Sequence, residues 1–325
     1  MRNQVIRIGV LAAVLTGGTQ QASAQDTRAE EVLTKTRAAL GRVASVKTLS
    51  VEASTQRNVG STQLSSEVEL FVEMPDKYVK REETRGMMTM TMATGFNGDR
   101  AITPVGGMAA GPGGAMIIRM GPGGPVHDGP EPTPEQVEQM NVAALRGSRA
   151  EASRFLLGWL GMAHPAMRVS YTYAGQAESP DGKAHVIDVK DGDGFESRLF
   201  IDQNNHLPLM VTYMGRAPRI VTSGGPMRVT RGAAPAGGSS GSQPLPDADR
   251  KEMQKEMGEK LRREMAEQPP VEFSLFFDDW REVDGVTFPH VMRRAAGGET
   301  SEEWTITRVK VNSKIDAKTF AVAAK

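Results

Sequence analysis

The chain has 325 residues, no cysteine, 19 methionines, and 39 basic against 39 acidic side chains. The lack of cysteine excludes disulfides, thiol catalysis and a lipid-anchoring cysteine, and the balanced charge argues against nucleic acid as a partner. A chain of this length can bury a sizeable core in one or two domains without staples.

In chain order, residues 1–24 read as a secretory signal. Arg2 and Arg7 give a basic start, residues 8–15 an apolar core, and Ala22-Ser23-Ala24 a small-residue cleavage site. That apolar core is far shorter than the ~20 residues a membrane-spanning helix needs. The mature chain is expected to begin near Gln25, exported and without a lipid anchor. Losing Arg2 and Arg7 leaves 37 basic against 39 acidic groups, a net charge of about −2.

Residues 27–43 carry Ala29, Val32, Leu33, Thr36, Ala39, Leu40 and Val43 at helical spacing, with Thr27 and Glu30 as a capping box. Strands are predicted at 48–56, 63–73 and 77–84, where apolar and polar residues alternate. Met88, Met90 and Met92 then alternate with Thr89 and Thr91 before the turn Asn97-Gly98-Asp99. Residues 103–132 shift abruptly to Gly, Pro and Met, the composition of a flexible insert.

Two short helices are predicted next, each with its own start signal. Thr133-Pro134-Glu135-Gln136 opens the first, which runs to Leu145. Ser148 and Glu151 cap the second, whose face carries Phe155, Leu156, Trp159 and Leu160. Strands are predicted at 167–174, 184–190, 196–202 and 207–213, with turn residues between them. A second insert covers 215–270; its later half, 248–268, is a thin amphipathic helix with Met253, Met257, Leu261 and Met265.

The end of the chain reads as an antiparallel meander. Val271, Phe273, Leu275 and Phe277 alternate with polar residues, and Asp284-Gly285 is a two-residue hairpin signal. On the return strand Pro289 cannot donate to a ladder, which predicts an edge or a bulge there. Gly297-Gly298 turns the chain into a last strand holding Trp304 and Ile306.

No catalytic constellation stands out, so the chain is not read as an enzyme. His127, His164, His185, His206 and His290 are scattered without ligand spacing, and no metal or other cofactor is expected. Gly237 to Gly241 matches Gly-x-Ser-x-Gly only within a Gly/Ser tract. Asp188, Asp191 and Asp193 fit a hairpin turn better than a calcium loop, and Asp278 and Asp279 point to opposite faces of a strand. Methionine is the unusual feature, since unbranched polarizable side chains suit surfaces that adapt to varied apolar partners.

Several strings resemble, in their order along the chain, the periplasmic outer-membrane lipoprotein-sorting proteins of the LolA-like and LolB-like class. They are "AEEVLTKTRAALG", "MPDKYVKRE", "GFNGDRA", "SRLFIDQNNHLPLMVTY", "DDWREVDGVTFPHVM" and "EEWTITRVKVNSKIDAKTF". The resemblance implies an α+β, mainly β fold: a curved antiparallel half-barrel with helices covering its concave face. It implies one LolA-like domain over 25–325, interrupted by the inserts at about 103–132 and 215–270. It also implies a soluble carrier or sensor for lipoprotein acyl chains or other lipids. Under this reading Met88, Met90, Met92, Phe155, Leu156, Trp159 and Leu160 line an apolar cavity. The alternative is an envelope-stress regulatory module with an envelope protein as partner.

Overall fold

The structure is a computed structural model that describes residues 19–59, 62–84, 90–103, 133–179, 182–216 and 269–321. The expected signal core, the bulk of both inserts, the 248–268 helix and Met88 lie outside the described residues.

A long helix, α1 (Thr19–Ala39), leads into the first meander: β1 (Thr48–Val59), β2 (Thr62–Glu73), β3 (Lys77–Thr84), β4 (Met90–Asn97) and β5 (Arg100–Ile102). A second helix, α2 (Pro134–Leu160), precedes the second meander. That comprises β6 (Val169–Ser179), β7 (Gly182–Asp191), β8 (Glu196–Asp202), β9 (Pro208–Gly215), β10 (Val271–Val283), β11 (Val286–Ala296) and β12 (Glu299–Val311). All twelve strands form one antiparallel sheet in the order β5-β4-β3-β2-β1-β12-β11-β10-β9-β8-β7-β6. The last strand therefore returns to pair with the first and joins the two meanders.

The sheet has two free edges, β5 and β6, so it is not a closed barrel. Twelve flat strands would span about 53 Å, several times the ~10 Å width of a helix. Yet one core holds Phe96 of β4 and both helices, and Tyr171 of the edge strand β6 packs against it. The sheet must curl around its helices to do this. The expected architecture, an open antiparallel sheet with helices on its inner face, is the one observed.

The turns follow from local sequence. Asp284 and Gly285 both have positive φ, 53° and 81°, as a type I′ turn demands. Pro289 lies where β11 has not yet met β12: their pairing begins at Val291. The missing N–H therefore disturbs no ladder on that side. The gap is filled by the end of α1, where Thr287 N–H donates to Leu40 O and Gly41 bridges Val286. Gly41 has φ 86°, and a Cβ there would sit 2.4 Å from the Gly285 carbonyl oxygen.

Two sequence expectations are corrected. The first helix begins at Thr19, not Thr27, so Ala22-Ser23-Ala24 lies within its first turns. Its apolar stripe is as expected, with Ala29, Val32, Leu33, Thr36 and Leu40 buried. The two short helices are also a single one, α2, about 40 Å long at 1.5 Å per residue. Thr133 and Gln136 do form the capping box at its start, and Gly161 ends it at φ 64°. The second box never forms, because the Glu151 carboxylate is taken by the sheet: Lys80 Nζ donates to it at 2.6 Å and Tyr78 Oη at 3.1 Å. With no competing cap, the helix continues through Gly147-Ser148.

Candidate functional site: a helix-plugged trough with a charged end

The inner face of the sheet changes character along its strands. At one end it is apolar. Leu49, Val51 and Ala53 of β1 stand opposite Val72, Leu70 and Val68 of β2, and Val309 and Ile306 of β12 face them from the other side. The C-terminal half of α2 plugs this end. Phe155 stacks on Trp159 at 5.0 Å, Trp159 meets Phe288 at 5.0 Å, and Trp304 closes on Phe155 at 5.5 Å. The Trp159 indole N–H points at the Met292 sulfur, 3.1 Å away. The backbone comes in closest at Gly158, where a Cβ would lie 1.9 Å from the Phe277 ring. Leu156, Leu157 and Leu160 are fully buried in the same layer, while the first half of α2 leaves Met140 and Val142 about half exposed.

Toward the other end, the same inward positions turn polar. On β1 the inward series continues through Thr55 to Arg57, on β3 from Tyr78 through Lys80 to Glu82, on β11 from Met292 to Arg294, and on β12 from Trp304 to Glu302. Glu302, 3% exposed, accepts from Arg57 at 2.9 Å through one oxygen and from Arg294 at 3.3 Å through the other. Arg57 also reaches Glu82 at 3.3 Å. Two residues of α2 join this end: Glu151, already described, and Arg154. The Arg154 guanidinium lies 3.8 Å from the centre of the Tyr213 ring, and its Nε donates to Ser197 Oγ at 3.4 Å.

The electrostatics follow from geometry. Burial pushes the Glu302 carboxyl up, but Arg294 and Arg57 overcome it and hold the group below its ordinary value. Glu151 behaves likewise, burial being outweighed by Lys80 and then Arg294. Tyr78 is pushed well up, by burial first and by Glu151 second. Burial lowers Arg154 and outweighs the opposing pull of Tyr213 and Glu151. Elsewhere in the core His164 lies edge-on to Phe96, ring centres 5.0 Å apart, and burial lowers its pKa to about 4.

Of the residues expected to line a cavity, Phe155, Leu156, Trp159 and Leu160 come together in the plug. Met92 is half-buried, opposite Glu82 beside the charged end, and Met90 follows two positions on, opposite Thr84. Arg57, Lys80, Glu82, Glu151, Arg154, Arg294 and Glu302 were not anticipated as a group. A signal existed: charged residues occupy the inward parity of four strands at matching depth. Without the strand order they read as ordinary solvent-facing charges. Among the described residues no group of three His, Asp or Glu stands together as a metal set. Nor is any helix long and apolar enough to cross a membrane.

An open antiparallel sheet wrapped on two helices, with an apolar plug and a charged mouth, is the class of protein these features define. No family model matches the chain, and no curated protein matches it. Among solved structures it is similar to a LolA superfamily protein from Nitrosomonas europaea, at 8% identity over 89% of this chain and 96% of that one, with a TM-score of 0.45. It is also similar to an outer membrane lipoprotein-sorting protein domain from Vibrio parahaemolyticus, at 8% identity over 91% and 97%, TM-score 0.41. A third is a DUF1329 family protein from Desulfovibrio piger, at 9% identity over 91% and 97%, TM-score 0.41.

Proposed function

We propose that the protein is a periplasmic carrier or sensor that shields the acyl chains of a lipoprotein or another lipid on the inner face of its sheet. Binding involves no covalent step. Phe155, Leu156, Trp159 and Leu160 form the apolar surface that exchanges with the ligand, and α2 is the element that gives way.

The observation that carries this reading is the plug itself. The helix α2 inserts a compact apolar patch into a trough walled by the sheet and by α1, while its own first half stays largely exposed. Undocking that patch exposes Phe155, Leu156, Leu157, Trp159 and Leu160, at about 8–15 kcal/mol in all. This is as large as the whole stability of a typical domain, so the helix does not leave unaided. A 16-carbon chain buried in its place recovers ~0.8 kcal/mol per methylene, about 13 kcal/mol. The two terms are of similar size, which is the condition for reversible exchange.

The test is native mass spectrometry of the protein purified from its own envelope, followed by titration of delipidated protein with oleoyl probes under Trp159 fluorescence. A bound lipid and a saturable spectral change are expected. If no lipid co-purifies and every acyl probe leaves Trp159 unchanged, the carrier reading falls. A stoichiometric envelope protein recovered in the same experiment would instead support a regulatory interaction module.

A further inference from the structure

The outer face of the sheet, turned away from both helices, carries two small apolar clusters. In one, Val79 and Ile102, with Phe71 and Ala93 beside them, are covered by Ile315 and Phe320 from the end of the chain. The other crosses four strands in a single row. Val186 of β7 stands opposite Phe200 of β8, Phe200 opposite Met210 of β9, and Met210 opposite Phe276 of β10. Their neighbours along the strands, Leu199 and Val211 among them, belong to the inner core, so this row faces outward. Val186, Phe200 and Met210 are nevertheless only 7%, 4% and 6% exposed. Side chains on one face of a sheet stand side by side and do not roof one another. Among the described residues every member of this cluster lies on the sheet itself, and Arg293 lies over Phe276 at one end only.

Residues 248–268 lead directly to this face, since β10 begins at Val271. Met253, Met257, Leu261 and Met265 recur every four residues in a stretch otherwise rich in charge. A stripe that thin holds a helix only when a partner takes it up. The six steps from Met265 to Val271 reach about 20 Å when extended, and Phe276 lies about 17 Å along β10 from the same residue. The stripe is therefore tethered within reach of the row. Its chemistry fits as well, because methionine sulfur packs favourably on aromatic rings and the row presents Phe200 and Phe276.

We propose that residues 248–268 dock as an amphipathic helix on the outer face of β7 to β10, with the methionine and leucine stripe on Val186, Phe200, Met210 and Phe276. The chain then covers both outer clusters with its own segments. The outer face is closed, and the inner face stays the side open to exchange. The inference does not depend on what α2 releases or binds. The rival occupant is a second copy of the chain.

The chain has no cysteine, so introduced pairs report without background. Leu261→Cys is combined in the full-length protein with Met210→Cys, or with Ala93→Cys on the other outer cluster, then oxidised in dilute solution and mapped by mass spectrometry. The first pair is expected to close within one chain at least ten times faster than the second. Hydrogen exchange of the wild type, which needs no substitution, should show protected amides between Met253 and Met265. Met257→Lys combined with Leu261→Lys should speed their exchange tenfold or more and leave the amides of β12 protected. Fast exchange throughout 248–268 in the wild type, or equal closure of the two cysteine pairs, would overturn the docking. A disulfide formed only between chains would overturn it too, and would give the face to a second copy.

Discussion

Replacing Glu302 by Gln tests the charged end most directly, because the substitution keeps shape and removes only charge. Glu302 is 3% exposed and bridges two guanidiniums, Arg57 at 2.9 Å and Arg294 at 3.3 Å. Glutamine can accept from one of them but turns its own NH2 toward the other. Removing one member of a buried ion cluster typically costs about 3–5 kcal/mol, since the remaining charge stays buried. The low end, about 3 kcal/mol, is expected here because Arg57 keeps Glu82 at 3.3 Å. The assay is denaturant unfolding of wild type and E302Q with the slope held common, repeated between pH 7 and pH 3. The folded pKa of Glu302 lies below its unfolded value, so its stabilisation is present above the unfolded pKa and disappears as pH falls through the folded one. The gap between the proteins should therefore be full at pH 7 and shrink below about pH 4 as wild type takes up the proton. A gap under ~1 kcal/mol at pH 7, the size of an ordinary exposed pair, would refute the reasoning. So would a gap that stays constant down to pH 3.

Three other expectations concern the plug and the core. Trp159→Ala should cost ~3–5 kcal/mol in equilibrium unfolding, as for a large aromatic fully buried between Phe155 and Phe288; a loss below ~1 kcal/mol would mean the helix is not packed as described. Gly158→Ala should cost ~1–3 kcal/mol because its methyl meets the Phe277 ring, and Phe277→Leu should relieve part of that cost. Strict additivity in that double-mutant cycle would show that the two residues do not touch. His164, with its folded pKa near 4, stays neutral while the unfolded chain charges near 6.5, so it should remove about 3 kcal/mol of stability as pH falls from 6.5 to 4. An NMR titration placing His164 near 6.5 would contradict its burial.

Much of the strand layout was legible because it depends on neighbours in sequence. Period-two alternation marked both meanders, and Asp284-Gly285 and Gly297-Gly298 have the positive φ angles that their turns require. The buried stripe of α1 was legible for the same reason, as was the capping of α2 by Thr133 and Gln136. The break expected at Gly147-Ser148 was not found. Its evidence was a local pattern, Ser148 with Glu151, and a distant lysine and tyrosine compete for the same carboxylate. A capping hydrogen bond to solvent-exposed backbone contributes about 1 kcal/mol. A partly buried, charge-assisted pair outweighs it.

The sequence by itself therefore determined the local pieces: which segments are strands, where they turn, and which helix faces are apolar. Only the tertiary structure decided what those pieces enclose. Pairing β12 with β1 brings Glu302 opposite Arg57, residues 245 positions apart, and pairing β11 with β12 adds Arg294. The crossing of α2 then contributes Glu151 and Arg154. On an isolated strand, a charge at an inward position and one at an outward position look alike. Burial separates them, and burial is a property of the folded arrangement: it makes the loss of a counter-ion cost several kcal/mol where solvent would have screened it.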